Sequence, residues 1–310
     1  MSLNASRVMP ESTPAIAAID KSAARRAFER AAEDYDAAAV LQREIGRRML
    51  ERLDYIRIEP RTVVDLGCGT GLALDHLSRR WRRPRVIALD FAVAMLQRAR
   101  RRGHWRNRPR PLCADIERLP LADDSVDLIF SNATLQWAND LGSTFAELHR
   151  VLRPGGLLMF TTFGPDTLAE LRMAWAAADG DAHVSPFLDM HDVGDALVRG
   201  RFADPVMDAE RINVTYPDVF KLMRDLKAIG AHNVLSARSR GLTGRRRLRA
   251  MEQAYEQHRQ DGRLPSTWEI VHGHAWVGPK AQPQPAGGEE IAVPVSAIGR
   301  RSPLAAAAKG

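Results

Sequence analysis

The sequence contains few cysteines, few aromatic residues and no long apolar run. Its 310 residues include 2 cysteines, Cys68 and Cys113, which excludes a disulfide framework and suits a reducing compartment. No apolar run approaches the roughly 18 residues that a membrane-spanning helix needs, and the N-terminus has no apolar segment of the signal-peptide type. We therefore expect a cytoplasmic protein with no membrane partner.

Several motifs of nucleotide and metal chemistry are also missing. The glycines between Gly67 and Gly71 are not followed by the Lys of a phosphate-binding loop, and the third comes one residue too early for the dinucleotide fingerprint. The segment 131–134 reads S-N-A-T where amino-group methyltransferases acting on bases have N-P-P-Y or D-P-P-Y. His191, His272 and His274 have no third ligand motif nearby, so we predict no metal site.

The most informative segment is V-V-D-L-G-C-G-T-G, residues 63–71. Its apolar start, its alternating glycines and the amphipathic run after it indicate a buried strand, a loop and a helix. Such units bind nucleotide-like ligands in open α/β sheets, and glycine lets a ligand approach the backbone. The acid in front of the loop suits a cationic ligand such as S-adenosylmethionine, which has a sulfonium, an ammonium and no phosphate. We expect Asp65, Gly67, Gly69 and Gly71 to bind it; the alternative is a tight turn with a chance acid.

A second apolar strand, beginning at Arg85, also ends in an acid. Asp90 lies 25 residues after Asp65, close to the roughly 20-residue separation between a glycine loop and a ribose-binding carboxylate. The Asp90 carboxylate could therefore accept hydrogen bonds from both ribose hydroxyls. Phe91, directly after it, could flank the adenine.

Two more predicted strands end in polar residues at the same edge of the sheet. Asp115 could accept a hydrogen bond from the adenine amino group, while the Ile116 N–H could bind a ring nitrogen. The next strand begins at Val126 and ends at Asn132, which we also place at the cofactor. Each of these residues could instead be an ordinary polar residue at a strand end.

Strands alternate with helices from residue 63 to residue 163, which favours a parallel sheet. The same stretch resembles the Rossmann-like class I S-adenosylmethionine-dependent methyltransferases. The motifs that carry the resemblance are the glycine loop, A-L-D-F, A-D-I-E-R-L-P-L-A-D-D-S-V-D-L-I-F-S-N and E-L-H-R-V-L-R-P-G-G-L-L-M-F-T-T. The resemblance implies an α/β fold with a seven-stranded, mostly parallel sheet, helices on both faces and helical lid insertions.

Four further motifs are similar to one family within that class, the malonyl-acyl-carrier-protein O-methyltransferases. They are F-x-R-A-A-x-x-Y-D-x-x-A-x-L-Q from Phe28, S-N-x-x-L-Q-W from Ser131, F-G-x-x-T-L-x-E-L-R from Phe163 and L-K-x-I-G-A from Leu226. The resemblance covers residues 25–278. It implies that S-adenosylmethionine methylates the free carboxylate of malonyl-acyl carrier protein, giving the ester that primes the pimeloyl chain of biotin.

That reaction asks little of the protein beyond positioning. A carboxylate with a pKa of about 4 is already ionised at pH 7, so no general base is needed. Alignment of the reacting atoms and exclusion of water then carry the reaction. The planar fork of an arginine suits a carboxylate anchor, and Arg172, on a predicted helix, is our candidate. Tyr35 could donate a hydrogen bond from the lid. A solvated arginine and a packing tyrosine are the plain alternatives.

The chain is expected to form one domain with loosely ordered ends. We predict a flexible N-terminus at residues 1–20, a methyltransferase domain at 21–278 and a disordered tail at 279–310. Residues 22–56 and parts of 164–265 are expected to form the lid. We expect a monomer.

The formal net charge is +7, and the arginines are clustered. Residues 79–110 contain twelve arginines and one acid, and Arg245, Arg246, Arg247 and Arg249 form a second cluster. A basic surface suits an acidic acyl carrier protein or a nucleic acid, or it is simply a solvated surface. No aromatic interleaving accompanies either cluster, which counts against single-stranded nucleic acid. Acyl carrier protein is therefore the expected partner.

A rival resemblance comes from another class of protein. The segments H-V-S-P-F, from His183, and M-R-D-L, from Met223, also look like the methyltransferase-like assembly factors of respiratory complex I. Some of those hydroxylate an arginine on a partner protein. The Gln136-Trp137 pair and the intact series of acids favour the methyltransferase. A binding protein that holds the cofactor without turnover is a third interpretation.

Overall fold

The computed structural model describes residues 18–103, 107–238, 241 and 243–279. The predictions for residues 1–17 and 280–310 lie outside this part of the chain, and the domain limits stay predictions. Residues 18–20 differ from our expectation of a loose N-terminus. Ile19 is buried and pairs with Leu235, and the Asp20 N–H donates to the Val234 carbonyl.

The described residues form a seven-stranded sheet in the order β3-β2-β1-β4-β5-β7-β6. All neighbouring strands are parallel except β7, which is antiparallel to both β5 and β6. The strands are β1 (Thr62–Leu66), β2 (Arg85–Asp90), β3 (Arg110–Cys113), β4 (Val126–Ser131), β5 (Leu152–Phe163), β6 (Phe202–Tyr216) and β7 (Leu264–Val277). The predicted seven-stranded, mostly parallel sheet is confirmed.

Helices cover both faces of the sheet, because the central strands are apolar on both sides. Successive residues of a strand point to opposite faces. Val64 packs with two helices on one face of the sheet, whereas Val63 packs with three helices on the other face. The helices are α1 (Lys21–Ala31), α2 (Tyr35–Ala38), α3 (Val40–Leu53), α4 (Leu74–Arg80), α5 (Val93–Ala99), α6 (Leu141–Val151), α7 (Ala169–Ala178), α8 (Met190–Arg199), α9 (Val219–Ala228) and α10 (Arg245–Glu256), with a 3₁₀ turn at Leu135–Trp137.

The Pro154-Gly155-Gly156 segment lies inside β5. β5 already pairs with β4 at Leu152, and the pairing then jumps to Leu157. The extra residues form a bulge, and Gly155 has a φ of +77°, which glycine adopts without strain. The strand therefore starts five residues earlier than Leu157.

Besides the apolar cores on the two faces of the sheet, a third core lies where the chain beyond β5 folds over one end of the sheet. Phe163 and Trp268 pack there, with ring centroids 5.3 Å apart, together with residues of α7, α9 and α10. These helices, with α1 to α3, occupy the segments that we predicted to form a lid. No helix within the described ranges is long and apolar enough to cross a membrane.

Candidate active site

A cleft of about 550 Å³, counting its open mouth, lies at the carboxyl ends of the parallel strands. This is the edge where open α/β sheets bind ligands. The structure brings eight of the eleven predicted site residues to its lining: Tyr35, Gly67, Gly69, Asp90, Phe91, Asp115, Ile116 and Asn132. Their roles toward a ligand stay predictions. Asp65, Gly71 and Arg172 are not part of this lining.

The loop after β1 depends on glycine at three positions. Gly67, Gly69 and Gly71 have φ angles of +69°, +54° and +87°, a region that side chains rarely adopt. A Cβ on Gly67 would lie 2.2 Å from the Thr134 side chain, so the loop packs tightly against the segment after β4. Gly71 faces Leu74 instead and shapes the turn. Gly69 is the most open of the three, with Tyr35 as its nearest neighbour.

Asp90 joins the end of β2 to the glycine loop. Its Oδ2 accepts a hydrogen bond from the Gly69 N–H over 2.9 Å, and its Oδ1 accepts one from the Ala92 N–H over 2.8 Å. Burial raises the pKa of Asp90 to about 6, although these amides favour the charged form. Each carboxylate oxygen keeps a lone pair for a ligand hydroxyl.

Asp65 supplies the reason to expect a cationic ligand. It is 3% exposed, and its Oδ2 has no hydrogen-bond partner among the described residues. Burial, with the nearby charge of Asp90, raises the pKa of Asp65 to about 8. A nearby positive charge stabilises the ionised forms of two such buried carboxyls. The residues present therefore fit S-adenosylmethionine, whose ammonium and sulfonium supply that charge.

The other end of the cleft is covered by α1. Asp115 Oδ1 accepts hydrogen bonds from Lys21 Nζ over 2.9 Å and from the Glu117 N–H over 3.0 Å. Lys21 also pairs with the Glu117 carboxylate over 3.2 Å. Our sequence analysis did not include Lys21, because nothing in the sequence signals a contact with a residue 94 positions away.

Three aromatic rings meet at this end. The Phe28 ring centroid lies 5.7 Å from that of Phe91 and 5.1 Å from that of Trp137. All three side chains line the cleft. Phe28 and Trp137 were missed as site residues, although both lie in the motifs quoted above, whose F and W positions were the available signal.

The N-terminal helices are tied to the sheet by side chains. Glu29 accepts hydrogen bonds from the Val93 and Ala94 N–H groups over 2.7 and 2.9 Å, and so caps α5, which has no cap of its own. Tyr35 lines the cleft beside Gly69. Burial and the charges of Asp90 and Asp36 raise the pKa of Tyr35, so its hydroxyl remains a hydrogen-bond donor.

Asn132 uses its side chain to hold the backbone. Its Nδ2 donates to the Gln42 carbonyl, and its Oδ1 accepts from Thr161 Oγ1, both over 2.9 Å. Thr161 Oγ1 in turn accepts from the Ala133 N–H over 2.8 Å. The side chain thus joins α3, β4 and β5, and it fixes the backbone at the edge of the cleft.

A second and larger cavity, of about 1,050 Å³ with its mouth, adjoins the first. The Trp137 side chain lines both, and Gln136 next to it lines the second. Gln136 Nε2 donates to the carbonyl of Ala133, a residue of the cleft lining, over 2.7 Å. The 3₁₀ turn after β4 therefore separates the two cavities. The lining of the second is rich in aromatic rings: Trp137, Phe163, Trp175, Phe187 and Trp268.

Arg172 lies outside the linings of both cavities. Its guanidinium donates to the carbonyls of Pro165 and Thr167 over 3.0 and 2.9 Å. Partial burial lowers the pKa of Arg172. The side chain thus braces the turn between β5 and α7. Our expectation that it anchors the substrate carboxylate has no support in this geometry, because these backbone oxygens already occupy two of its nitrogens.

One group of side chains has the spacing of a metal site. Ligand atoms of Asp179, Asp181 and His183 lie within 4.8 Å of one another. The Arg247 guanidinium lies 3.6 Å from Asp179 and 3.4 Å from Asp181. A metal ion would compete with that positive charge, and the absence of a metal site stays a prediction.

Comparison with known proteins places the chain in a family. Residues 64–160 match the methyltransferase domain family. A malonyl-[acyl-carrier protein] O-methyltransferase of Gallionella capsiferriformans is 52% identical over 264 residues, which are 83% of this chain and 91% of the relative. The Halorhodospira halophila protein of the same name is 50% identical over 286 residues, which are 91% of this chain and 97% of that protein.

Solved structures support the fold. A protein of Bacillus halodurans has a TM-score of 0.56 at 14% identity, over 76% of this chain and 99% of its own. The YcgJ protein of Bacillus subtilis has a TM-score of 0.54 at 14% identity, over 76% and 98%. The chain therefore belongs to the malonyl-[acyl-carrier protein] O-methyltransferase family, within the Rossmann-like S-adenosylmethionine-dependent methyltransferases.

Proposed function

We propose that this protein methylates the free carboxylate of malonyl-acyl carrier protein, and that the ester primes pimeloyl synthesis for biotin. The observation that carries the proposal is the similarity over most of the chain to methyltransferases named for this substrate. The two adjoining cavities support it, because one is built for a cationic cofactor and the other offers room for an acyl group.

In this proposal the cleft residues hold the cofactor. Asp90 accepts hydrogen bonds from the ribose hydroxyls, and Asp65 lies behind the glycine loop as a counter-charge. Asp115 and the Ile116 N–H bind the adenine, which lies among Phe28, Phe91 and Trp137. When bound, S-adenosylmethionine supplies a methyl group whose bond to sulfur breaks, leaving the electron pair on sulfur, as the bond to the carboxylate oxygen forms.

The chain itself has to orient the acceptor and exclude water. The acceptor carboxylate is ionised at neutral pH and gives up no proton, so no side chain has to act as a base. Tyr35, whose hydroxyl stays protonated, lines the cleft and is proposed to donate a hydrogen bond there. Closure by α1 to α3 removes water from the cofactor and its surroundings.

The carrier protein is proposed to dock on α10. Thr243, just before this helix, lines the second cavity. Arg247, on the helix, forms an ion pair with Asp179. Arg245, Arg246 and Arg249 are exposed on the same helix, and no ion pair involves them within the described residues. In contrast, Arg85 and Arg110 begin β2 and β3, at the edge of the sheet away from the cleft. We further propose a cytoplasmic monomer.

Transfer of a labelled methyl group tests the function. The purified protein is incubated with methyl-labelled S-adenosylmethionine and malonyl-acyl carrier protein, with acetyl-acyl carrier protein as the matched control without a carboxylate. We expect label on the malonyl carrier alone, released by mild base as an ester is. Absence of label on the malonyl carrier would exclude this substrate. Growth of a biotin-requiring strain that lacks its own methyltransferase provides an independent check.

A further inference from the structure

The second cavity contains no arginine or lysine among its described lining residues. Its ionisable lining side chains are His183 and His232, and the remainder are mainly aromatic and aliphatic. A carboxylate that enters an apolar cavity needs a positively charged or hydrogen-bonding partner. Among the lining residues, the two histidines are the ones whose side chains can carry a positive charge.

His183 is fixed in place from two sides. Its Nε2 lies 2.8 Å from Asp179 Oδ1, and its ring stacks on Trp175 with the centroids 3.7 Å apart and the planes 13° from parallel. Its side chain is only 17% exposed. The contact with Asp179 occupies Nε2 and leaves Nδ1, for which the described residues provide no hydrogen-bond partner. A carboxylate that orients a histidine in this way recurs in metal sites and catalytic triads.

Asp179 is held as an anion. Burial opposes ionisation, but the Asp181 N–H, His183 and Arg247 together keep the pKa of Asp179 below its usual value. Its side chain is 7% exposed. A ligand carboxylate at Nδ1 would be bound only when both ring nitrogens carry a proton, one donated to Asp179 and one to the ligand.

His232 differs from His183 in its surroundings. Burial and the charges of Arg30, Lys227 and Arg238 lower the pKa of His232, so its imidazole is neutral at pH 7. The same three cations give this end of the cavity a positive potential, although Arg238 is partly neutralised by Asp20 at 3.5 Å. The field attracts an anionic acyl group, while His183 is the histidine that is oriented to bind it.

We propose that His183, oriented by Asp179, binds the carboxylate of the malonyl group through Nδ1 and presents its other oxygen for methylation. This inference rests on the proposed function. Its consequence is discrimination between substrate and product, because the methyl ester no longer carries the charge that His183 binds. The uncharged product is then released.

The variant His183→Gln distinguishes binding of the malonyl carboxylate from a purely structural role of His183. The glutamine Nε2 can replace the donor to Asp179, but nothing replaces Nδ1. We expect the affinity for malonyl-acyl carrier protein, measured by calorimetry, to fall at least tenfold, while the affinity for the methyl-ester carrier and for S-adenosylmethionine stays unchanged. In steady-state assays the KM for the malonyl carrier should rise more than kcat falls. The matched control is His191→Gln, because His191 also pairs with a carboxylate, that of Asp189, although through Nδ1, and it is exposed on the surface.

The outcomes separate the two proposals. If the wild-type protein does not methylate the malonyl carrier, the proposed function fails. If the wild type does methylate it, the next comparison is the ratio of affinities for the malonyl carrier and the methyl-ester carrier. If this ratio is the same in His183→Gln as in the wild type, the proposed role of His183 is wrong. Thermal unfolding checks that the variant is folded. If the variant is not folded, Asp179→Asn is used instead, because it keeps the His183 ring but removes the orienting charge. We expect Asp179→Asn to reduce the preference for the malonyl carrier over the methyl-ester carrier. An unchanged preference in this variant would overturn the proposal.

Discussion

Gly69 and Asp90 are joined by a hydrogen bond of 2.9 Å from the loop amide to carboxylate Oδ2. This bond connects the turn after β1 with the end of β2, and it fixes both around the same cleft. The carboxylate that is expected to bind the ribose therefore also shapes the loop that is expected to lie beneath it. Loss of Asp90 should affect the ligand and the loop together.

The first prediction concerns Asp90→Asn. Removing the charge should weaken S-adenosylmethionine binding by about ten- to hundredfold, since a hydrogen bond to a charged group contributes about 1.5–3 kcal/mol. Isothermal calorimetry gives the dissociation constants. Asp127→Asn is the matched control, because Asp127 also accepts from two backbone amides, those of Arg61 and Thr62, but at the opposite edge of the sheet. The control should lose stability and keep its affinity; equal affinity of Asp90→Asn and wild type would remove Asp90 from the site.

The second prediction concerns pH and the stability of the ligand-free protein. Asp65 and Asp90 have an ordinary pKa of 3.8 when unfolded and values of about 8 and about 6 when folded. The folded state therefore holds protons that the unfolded chain has lost, so these groups stabilise the protein fully below pH 3.8 and progressively less as the pH rises towards about 8. Between pH 3.8 and about 8, we expect the unfolding free energy of Asp65→Asn to fall less than that of the wild type. Urea denaturation at several pH values measures this fall.

The same carboxyls link cofactor binding to protons. A cation at the cleft favours their ionised forms, so S-adenosylmethionine should bind with release of protons at neutral pH. Calorimetry in buffers of different ionisation enthalpy counts them. Binding with no proton release, together with an unchanged pH slope in Asp65→Asn, would contradict the raised pKa values.

The third prediction concerns Tyr35→Phe. The ring should still line the cleft beside Gly69, but the hydroxyl that we propose as a donor to the reacting groups is lost. We expect kcat to fall about tenfold, the effect of one hydrogen bond of about 1.5 kcal/mol, with little change in cofactor affinity. Tyr55→Phe is a suitable control, because Tyr55 is 89% exposed. A wild-type kcat in Tyr35→Phe would reduce Tyr35 to a packing residue.

The fourth prediction tests the docking surface. Reversing the charge of Arg245, Arg246 and Arg249 to Glu should raise the KM for malonyl-acyl carrier protein at least tenfold and leave that for malonyl-pantetheine unchanged. Added salt should raise the wild-type KM and affect the variant less, because salt screens exposed charges. The control makes the same change of charge at Arg100, Arg101 and Arg108, which line a separate cavity near the end of α5. Equal effects of the two variants would mean a diffuse field and no docking site on α10.

The sequence predicted residues that line one cleft, because the signals for them are local. A strand that ends in an acid reports its position from a few neighbouring residues, and parallel strands bring those ends to one edge. Asp90 and Asp115 were found in this way. Lys21 was not, because its contact with Asp115 depends on how α1 packs against the sheet. Tertiary packing of this kind leaves no pattern in the neighbouring residues.

The residues that would bind the methyl acceptor are harder to predict from the sequence, for a related reason. Arg172 was chosen for its chemistry, but the sequence does not show that the Pro165 and Thr167 carbonyls lie within its reach. His183 was quoted only in a rival motif, and its pairing with Asp179 and stacking on Trp175 emerge from the turn after α7. The Pro-Gly-Gly bulge inside β5 likewise depends on how β4 pairs with it.

A crystal structure with S-adenosylmethionine bound tests the central claim most directly. We predict that both ribose hydroxyls lie within hydrogen-bond distance of the Asp90 carboxylate, that the adenine lies beside Asp115 and Ile116, and that the methyl group points towards the second cavity near Trp137. A ligand bound away from the carboxyl ends of β1 and β2, or with its methyl group turned away from that cavity, would contradict the account.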